Sequence, residues 1–456
     1  MTSVGRERSV LVAGEALTLV TVFFPVLFYG GHGAFARGVE GVLGALLLGL
    51  VFLERARKGP ARPVTRRKLP YLEPWLPLVL LAGFAVVHVV QLLPLPAPLV
   101  RLLAGWSPDG SWSRLTPHPE ATLRALISWL APAAVFASIT LLYDTRGAAR
   151  RLFFALLLVA AFTSFYGITE VVSGSETIWG LPKAAYRGCV TGSFVNRNNF
   201  AAFMTLGLGA ACGLGLYGWA KLGGGQRPEG GVERVALLVF VAALCLAGAV
   251  LSRSRGGLAS VVLVGFPVGL FFVGRRRRAA FVTLAGALVV VTVLLSVWIS
   301  REPLTQRFSA LPDEANAADA RPAAWLASVR IFARAPLLGA GAGTFEDQFR
   351  VTSGSGIQVR YNHAHSDPLE FLAETGVVGF GLLSAAILWT LALTGRALRR
   401  RHSRFARSLT VGALVGLAAV LVHGLFDFPL QVPGVRVAWF AMLGAAYLVA
   451  NRRLTR

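Results

Sequence analysis

Apolar runs recur along almost the whole chain, many of them near the 17–25 residues that cross a bilayer, with polar residues gathered in the gaps between them. Twelve runs stand out, at 9–29, 38–53, 71–93, 123–142, 152–172, 199–219, 235–251, 256–273, 279–299, 371–394, 408–426 and 436–451. The pattern predicts an all-α, polytopic transmembrane bundle. Its parts are nine spans over residues 1–299, a polar insert over 300–370, and three more spans over 371–456.

The insert breaks the pattern most. Its 71 residues hold 8 of the 22 acidic residues and 7 arginines, a net charge of −1 against +24 for the remainder. Within it, Pro322–Ala335 reads as one amphipathic helix: Trp325, Val329 and Phe332 recur at helical spacing, Pro322 suits the first turn and Pro336 ends it. Such a helix would lie along headgroups or cap the bundle. Gly339, Gly341 and Gly343 then predict a flexible loop. Three further gaps carry structure-forming residues: Leu95–Ala121 with Trp106 and Trp112, Val172–Asn198 ending in the GSFVNRNNF run, and His423–Arg436 (HGLFDFPLQVPGVR).

Composition agrees with a membrane protein. Of 456 residues 55% are hydrophobic and 15% charged, where soluble domains carry about a quarter charged. A net charge of +23 would suit nucleic acid, but its distribution assigns it to topology and predicts no nucleic-acid partner. With the N-terminus inside, alternate gaps such as Arg55–Lys68, Arg275–Arg278 and Arg396–Arg407 bring 28 of the 45 basic residues to the inner side. By the positive-inside rule both termini are cytoplasmic and the insert is external. The first run exceeds a signal peptide's usual apolar core of about 7–15 residues, so it predicts a retained anchor. Cys189, Cys212 and Cys245 form no disulfide framework; the latter two lie in spans and read as packing residues.

Candidate chemistry lies on the outer side. Arg253 and Arg255 occur in LSRSRGG (Leu251–Gly257), Arg197 opens the sixth span, and Arg321 precedes Pro322 at the expected start of the insert helix. A guanidinium offers a planar fork for phosphate, and a helix N-terminus favours anions. Such arginines also snorkel to generic headgroups, but together they predict a diphosphate clamp. At the exit of the insert, NHAHSDPLEFLAETGVVG (Asn362–Gly379) holds two histidines and three acids. His363, His365 and Asp367 have spacing that a metal accepts, a weak signal alone. An imidazole suits a general base better, with Glu370 or Glu374 to orient it.

The succession of SRSRGG, ARPAAWLASVRIFARAPLLGAGAGTF (Ala320–Phe345) and HSDPLEFLAETGVVG (His365–Gly379) resembles the O-antigen ligase and polymerase superfamily. His365, Ser366 and Leu369 match that family's His-[Asn/Ser/Gln]-x-x-Leu motif, and the likeness extends over Gly192–Phe428. The resemblance implies a GT-C-type bundle with a periplasmic loop between spans nine and ten, in a bacterial inner membrane. It implies a metal-independent glycosyltransferase without cofactor that takes an undecaprenyl-diphosphate-linked glycan as donor. By the same resemblance Arg255 and Arg321 hold the donor diphosphate, with Arg197 a weaker addition and Arg253, Ser366, Leu369 and Glu374 in support. His365 would take the acceptor hydroxyl's proton.

Two acceptors remain open: lipid A–core, as in a ligase, or a second lipid-linked glycan, as in a polymerase, with a slight lean to the ligase. Protein side chains are a third possibility. A transporter would instead place polar groups near midplane beside broken helices, for which Glu15, His88 and Gln91 are the candidates. A purely structural assembly protein would need no arginine–histidine arrangement.

Overall fold

The computed structural model describes residues 3–58, 75–106, 110–222, 231–260, 262, 312–352, 361–452 and 454–455. Ten helices among them are long and apolar enough to cross a membrane, matching ten of the twelve expected runs. The other two, 256–273 and 279–299, fall almost wholly outside the described residues. The chain is an all-α polytopic membrane protein.

Its helices are α1 (Ser3–Leu27), α2 (Ala34–Lys58), α3 (Trp75–Leu92), the short α4 (Ala97–Ala104), α5 (Pro119–Ser128), α6 (Leu130–Leu142), α7 (Arg146–Val172), α8 (Arg197–Leu222) and α9 (Gly231–Leu251). After these come α10 (Pro312–Arg334) and α11 (Phe345–Thr352) in the insert, then α12 (Asp367–Arg400), α13 (Arg404–His423) and α14 (Pro433–Asn451). Two-residue antiparallel ribbons tie off two of the gaps between spans, Leu95–Pro96 with Trp112–Ser113 and Thr177–Ile178 with Leu181–Pro182.

Helix α14 runs through the middle, with every residue from Pro433 to Ala450 buried. It is apolar around most of its circumference, as a fully enclosed helix must be, and its many glycines and alanines admit α1, α6, α8, α12 and α13. The tightest crossing is α8 on α13, where Gly209 and Gly213 face Gly412 and Gly416. A Cβ on Gly209 would lie 2.8 Å from Gly416 Cα, so only small residues at this spacing let the backbones meet.

The insert is joined to the bundle by a break in α12. Gly376 has φ 64° and ψ −173° inside the helix, freeing backbone groups that lipid could not satisfy. Residues 336–341 satisfy them. Val377 and Val378 N–H donate to Pro336 and Leu337 carbonyls at 2.8 and 3.1 Å, and Ala340 and Gly341 N–H donate to Ala373 and Glu374 carbonyls at 3.0 and 3.2 Å. Gln91 completes the joint, donating to Leu338 O at 2.6 Å and Glu374 O at 2.8 Å while accepting from Ala342 N at 3.0 Å. The expected flexible glycine loop is therefore a buried, pinned segment: Gly339 (φ 75°) is present because any Cβ would meet the Glu374 carbonyl.

Two expectations for the insert helix need correction. It begins at Pro312, so Pro322 is internal: the run Asp313–Ala320 is rich in alanine, a strong helix former. Its packed face is Ala324, Ala327, Ile331 and Ala335, gathered with Phe345, Phe349, Tyr361 and Ala373. Val329 stays half exposed, because close approach to α12 selects alanines over the larger stripe.

The joint predicts that Gly376→Ala lowers the melting temperature of the purified protein sharply. Left-handed strain of about 1–3 kcal/mol adds to a collision with the Leu337 carbonyl. Gly381→Ala, on the same helix with open space at its Cβ position, serves as the control and leaves it unchanged or slightly raised. Equal melting temperatures for the two variants would contradict the joint.

Candidate functional site

The gaps that follow α1, α3, α7, α9 and α13 gather at one end of the bundle with the insert. Val190 N–H donates to Leu251 O at 3.1 Å, and Asp367 N–H donates to Gly424 O at 2.8 Å and Asp427 O at 3.1 Å. At this end Asp427, 3% exposed, faces three basic side chains from three segments. Its Oδ1 lies 3.5 Å from His365 Nδ1, and its Oδ2 lies 3.7 Å from Arg321 Nη2 and 4.0 Å from His423 Nε2. These are ion-pair separations, longer than hydrogen bonds. Burial pushes the Asp427 carboxyl up, but His365, His423 and Arg321 outweigh it and hold it below the ordinary carboxylate range.

The LSRSRGG turn reaches the same cluster. A Cβ on Gly256 would lie 3.0 Å from His423 Cδ2 and Nε2, so this glycine lets the turn close on the histidine. Ser254 Oγ accepts from Gly257 N at 3.2 Å and caps a helix that starts at 255. Exposed Arg255 thus stands at a helix N-terminus, where the dipole favours an anion. That property was expected of Arg321, which instead lies inside α10, and the reason is the helix's earlier start. Arg197, the weaker expectation, has its guanidinium over the Tyr186 ring at 5.2 Å and donates to Cys189 Sγ at 3.4 Å; neither partner belongs to the Asp427 cluster.

His365 is held from several sides. Its carbonyl accepts from Trp325 Nε1 at 3.2 Å, and its ring meets Tyr361 and Phe428 edge-on at 5.7 and 4.9 Å. Its φ is 51°, and Arg253 has φ 56°. Non-glycine residues in this region cost about 1–3 kcal/mol and cluster at functional sites. Ser366 is buried at the N-cap of α12 without a side-chain cap bond, and Leu369 is half-buried on its first turn.

Neither acid expected to orient the base does so. Glu374 Oε1 accepts from Phe345 N at 3.0 Å, which fastens α11 to α12. Glu370 instead holds the neighbouring histidine, with His363 Nδ1 2.7 Å from Oε1 and Ala364 N donating to Oε2 at 2.7 Å. The carboxylate that faces His365 is Asp427, in a segment noted in the sequence without any role for that residue. The signal was there: an acid four residues after His423, between two spans and on the same expected side as the insert. His363, His365 and Asp367 do not converge as a metal triad, since Asp367 Oδ2 accepts from Leu430 N at 3.0 Å.

His363 and His365 pack against one ring, that of Phe428. His363 stacks on Phe428 at 4.3 Å with 22° between planes, while His365 meets it at 82°. His363 also lines a cavity of about 420 Å³ with Glu370, Trp129 and Arg436.

The His363–Glu370 pair predicts a pH signature. Burial lowers the His363 pKa, but Glu370 above all, then Glu374 and Asp427, outweigh burial and hold it above the ordinary 6.5. A raised folded-state value means that the pair's contribution is complete below the unfolded value and is lost as pH rises through the folded one. The melting-temperature advantage of wild type over His363→Gln should therefore be largest near about pH 6 and shrink by about pH 9. A gap independent of pH over that range would remove the ion pair from the account.

Residues 240–384 match the family model described as O-antigen ligase, a segment holding the 252–257 turn, Arg321, the 336–343 joint and His365. Asp427 and His423 lie beyond it. No curated protein matches the chain. Over that segment the chain, an all-α polytopic membrane protein, is similar to the O-antigen ligase family.

Proposed function

We propose that the protein is a glycosyltransferase that moves a glycan from an undecaprenyl-diphosphate carrier to a sugar hydroxyl at the periplasmic face of the inner membrane. The observation that carries this reading is the Asp427 cluster, which brings His365 beside Arg321 and, through His423, against the 252–257 turn. In this reading His365 removes the acceptor proton through Nε2, while Asp427 faces Nδ1 and stabilises the imidazolium that forms. The acceptor oxygen bonds to the anomeric carbon as the bond from that carbon to the diphosphate oxygen breaks. The electron pair leaves with the lipid diphosphate, whose growing charge meets Arg255, the helix N-terminus behind it and Arg321. Arg253 shapes the turn, and Arg197 serves the adjoining loop rather than the clamp.

The acceptor reading keeps its slight lean toward lipid A–core, with a second lipid-linked glycan as the alternative. The transporter reading is less well supported. Glu15 accepts from Arg151 Nη2 at 2.6 Å, His88 Nδ1 bonds Phe84 O at 2.9 Å, and Gln91 is spent on the joint. The break at Gly376, which a transporter would use to coordinate cargo, has its freed backbone groups taken by 336–341.

Purified protein given a lipid-linked glycan donor and defined acceptors tests the chemistry. His365→Asn keeps a residue tolerant of left-handed φ and should lose about 10²–10⁴-fold of transfer while retaining donor binding. Arg255→Lys and Arg321→Lys should bind donor more weakly, since an ammonium cannot reproduce the bidentate fork. Near-normal transfer by folded His365→Asn, or wild-type donor affinity in both lysine variants, would remove the assignment.

Orientation is tested separately, by labelling single cysteines placed in the 345–352 helix and in the Arg396–Arg407 segment of intact cells. Impermeant reagent should reach the first and not the second; the reverse would invert the topology.

A further inference from the structure

The cavity of about 420 Å³ beside His363 falls within the range of small-ligand sites. It opens between the start of α2, α5, the 342–347 segment and the first turns of α12. It adjoins the Asp427 cluster through one ring, because His363 in its wall stacks on the same Phe428 that His365 touches.

Its acids are already engaged. Glu370 holds His363 and Ala364 N, Glu374 Oε1 accepts from Phe345 N, Glu346 pairs with Arg350 at 3.1 Å, and Asp347 lies 3.7 Å from His118. Its donors are not all engaged. Arg436 is 2% exposed; its Nη2 donates to Ser128 O and Oγ at 3.1 and 2.8 Å, its guanidinium lies 4.6 Å from the Trp129 ring centre, and its Nε has no hydrogen-bond partner. Gln431 Nε2, also in the wall, is buried without a partner. Arg37, Arg124 and His32 line the cavity as exposed groups. Positive charge accumulates there: burial, then Arg37 and His363, hold the His32 imidazole below its ordinary pKa. Glu40, buried outside the lining, makes no hydrogen bond but acts through space on Arg436 and Arg37, as Asp367 does on Arg436; neither carboxylate meets Arg436 Nε.

A buried guanidinium with an unmet donor, facing further arginines across a cavity with an aromatic wall, is matched by an anion on a ring-shaped polar ligand. We propose that this cavity is the acceptor subsite and recognises an acidic substituent, a phosphate or carboxylate, on the acceptor glycan. The inference rests on the transferase reading above and adds the acceptor's chemistry to it. Arg37 and Arg124 draw the anion in, and Arg436 Nε with Gln431 Nε2 receives it at the end of the cavity. The sugar then extends past His363 toward His365.

Equilibrium binding of three oligosaccharides to the detergent-solubilised full chain tests it. The probes are identical except for a terminal hexose, hexose 6-phosphate or hexuronate. Wild type should prefer one or both acidic probes over the neutral one by at least about tenfold. That ratio should fall toward one in the exposed double variant Arg37→Ala/Arg124→Ala, and in Arg436→Gln if it folds. Phosphate and hexuronate arms separate the two anions; repeating the assay in nanodiscs of neutral or anionic lipid separates a glycan substituent from a lipid headgroup. Equal binding of all three probes, a preference that survives the double variant, or competition by anionic lipid alone overturns the subsite. Absence of transfer to any acceptor, with the binding preference intact, would instead overturn the transferase reading.

Discussion

A buried carboxylate at the end of the bundle that bears the insert organises the site. Asp427 is removed from water at a desolvation penalty, and the groups that face it are Arg321 from α10, His365 from the 361–366 segment and His423 at the end of α13. The insert, the exit histidine and the last hairpin are thereby brought into one register. Arg321, half exposed, pairs with Asp427 on one side and keeps the other open to the surface.

That arrangement needs a rigid base, which the bilayer constraint supplies. A backbone group in hydrocarbon must find its partner inside the protein, so the break at Gly376 is tolerable only because 336–341 lies against it. The same hydrogen bonds that repair α12 anchor the insert, and the run from Tyr361 to Ser366 leads directly into the start of α12. His365 adopts a left-handed conformation there, held by Trp325 at its carbonyl and aromatic rings on its sides.

The alternation of His363 and His365 about Phe428 gives one segment two faces. One looks to the arginines and Asp427, the other to the cavity with Glu370 and Arg436. In a transfer between two large substrates, such a divider would keep donor and acceptor apart except where they react.

How much of this was legible in the sequence follows from how local each signal is. Spans were legible because transfer of twenty apolar side chains into lipid outweighs any tertiary preference, and ten of the expected runs are helical, two of them interrupted inside, between α5 and α6 and at Gly376. The candidate site was legible in part, since Arg321 and His365, expected together from contiguous motifs, both face Asp427, and the turn that carries Arg255 closes on His423 beside it. Three matters were decided only by the fold. The start of α10 depended on an alanine-rich run that propensity could have suggested but Pro322 obscured. The pinned glycine loop depended on a helix break more than thirty residues away. The pairing of His365 with Asp427, and of His363 with Glu370, depended on which carboxylate faces which ring, and charges distant in sequence carry no periodicity that would reveal it.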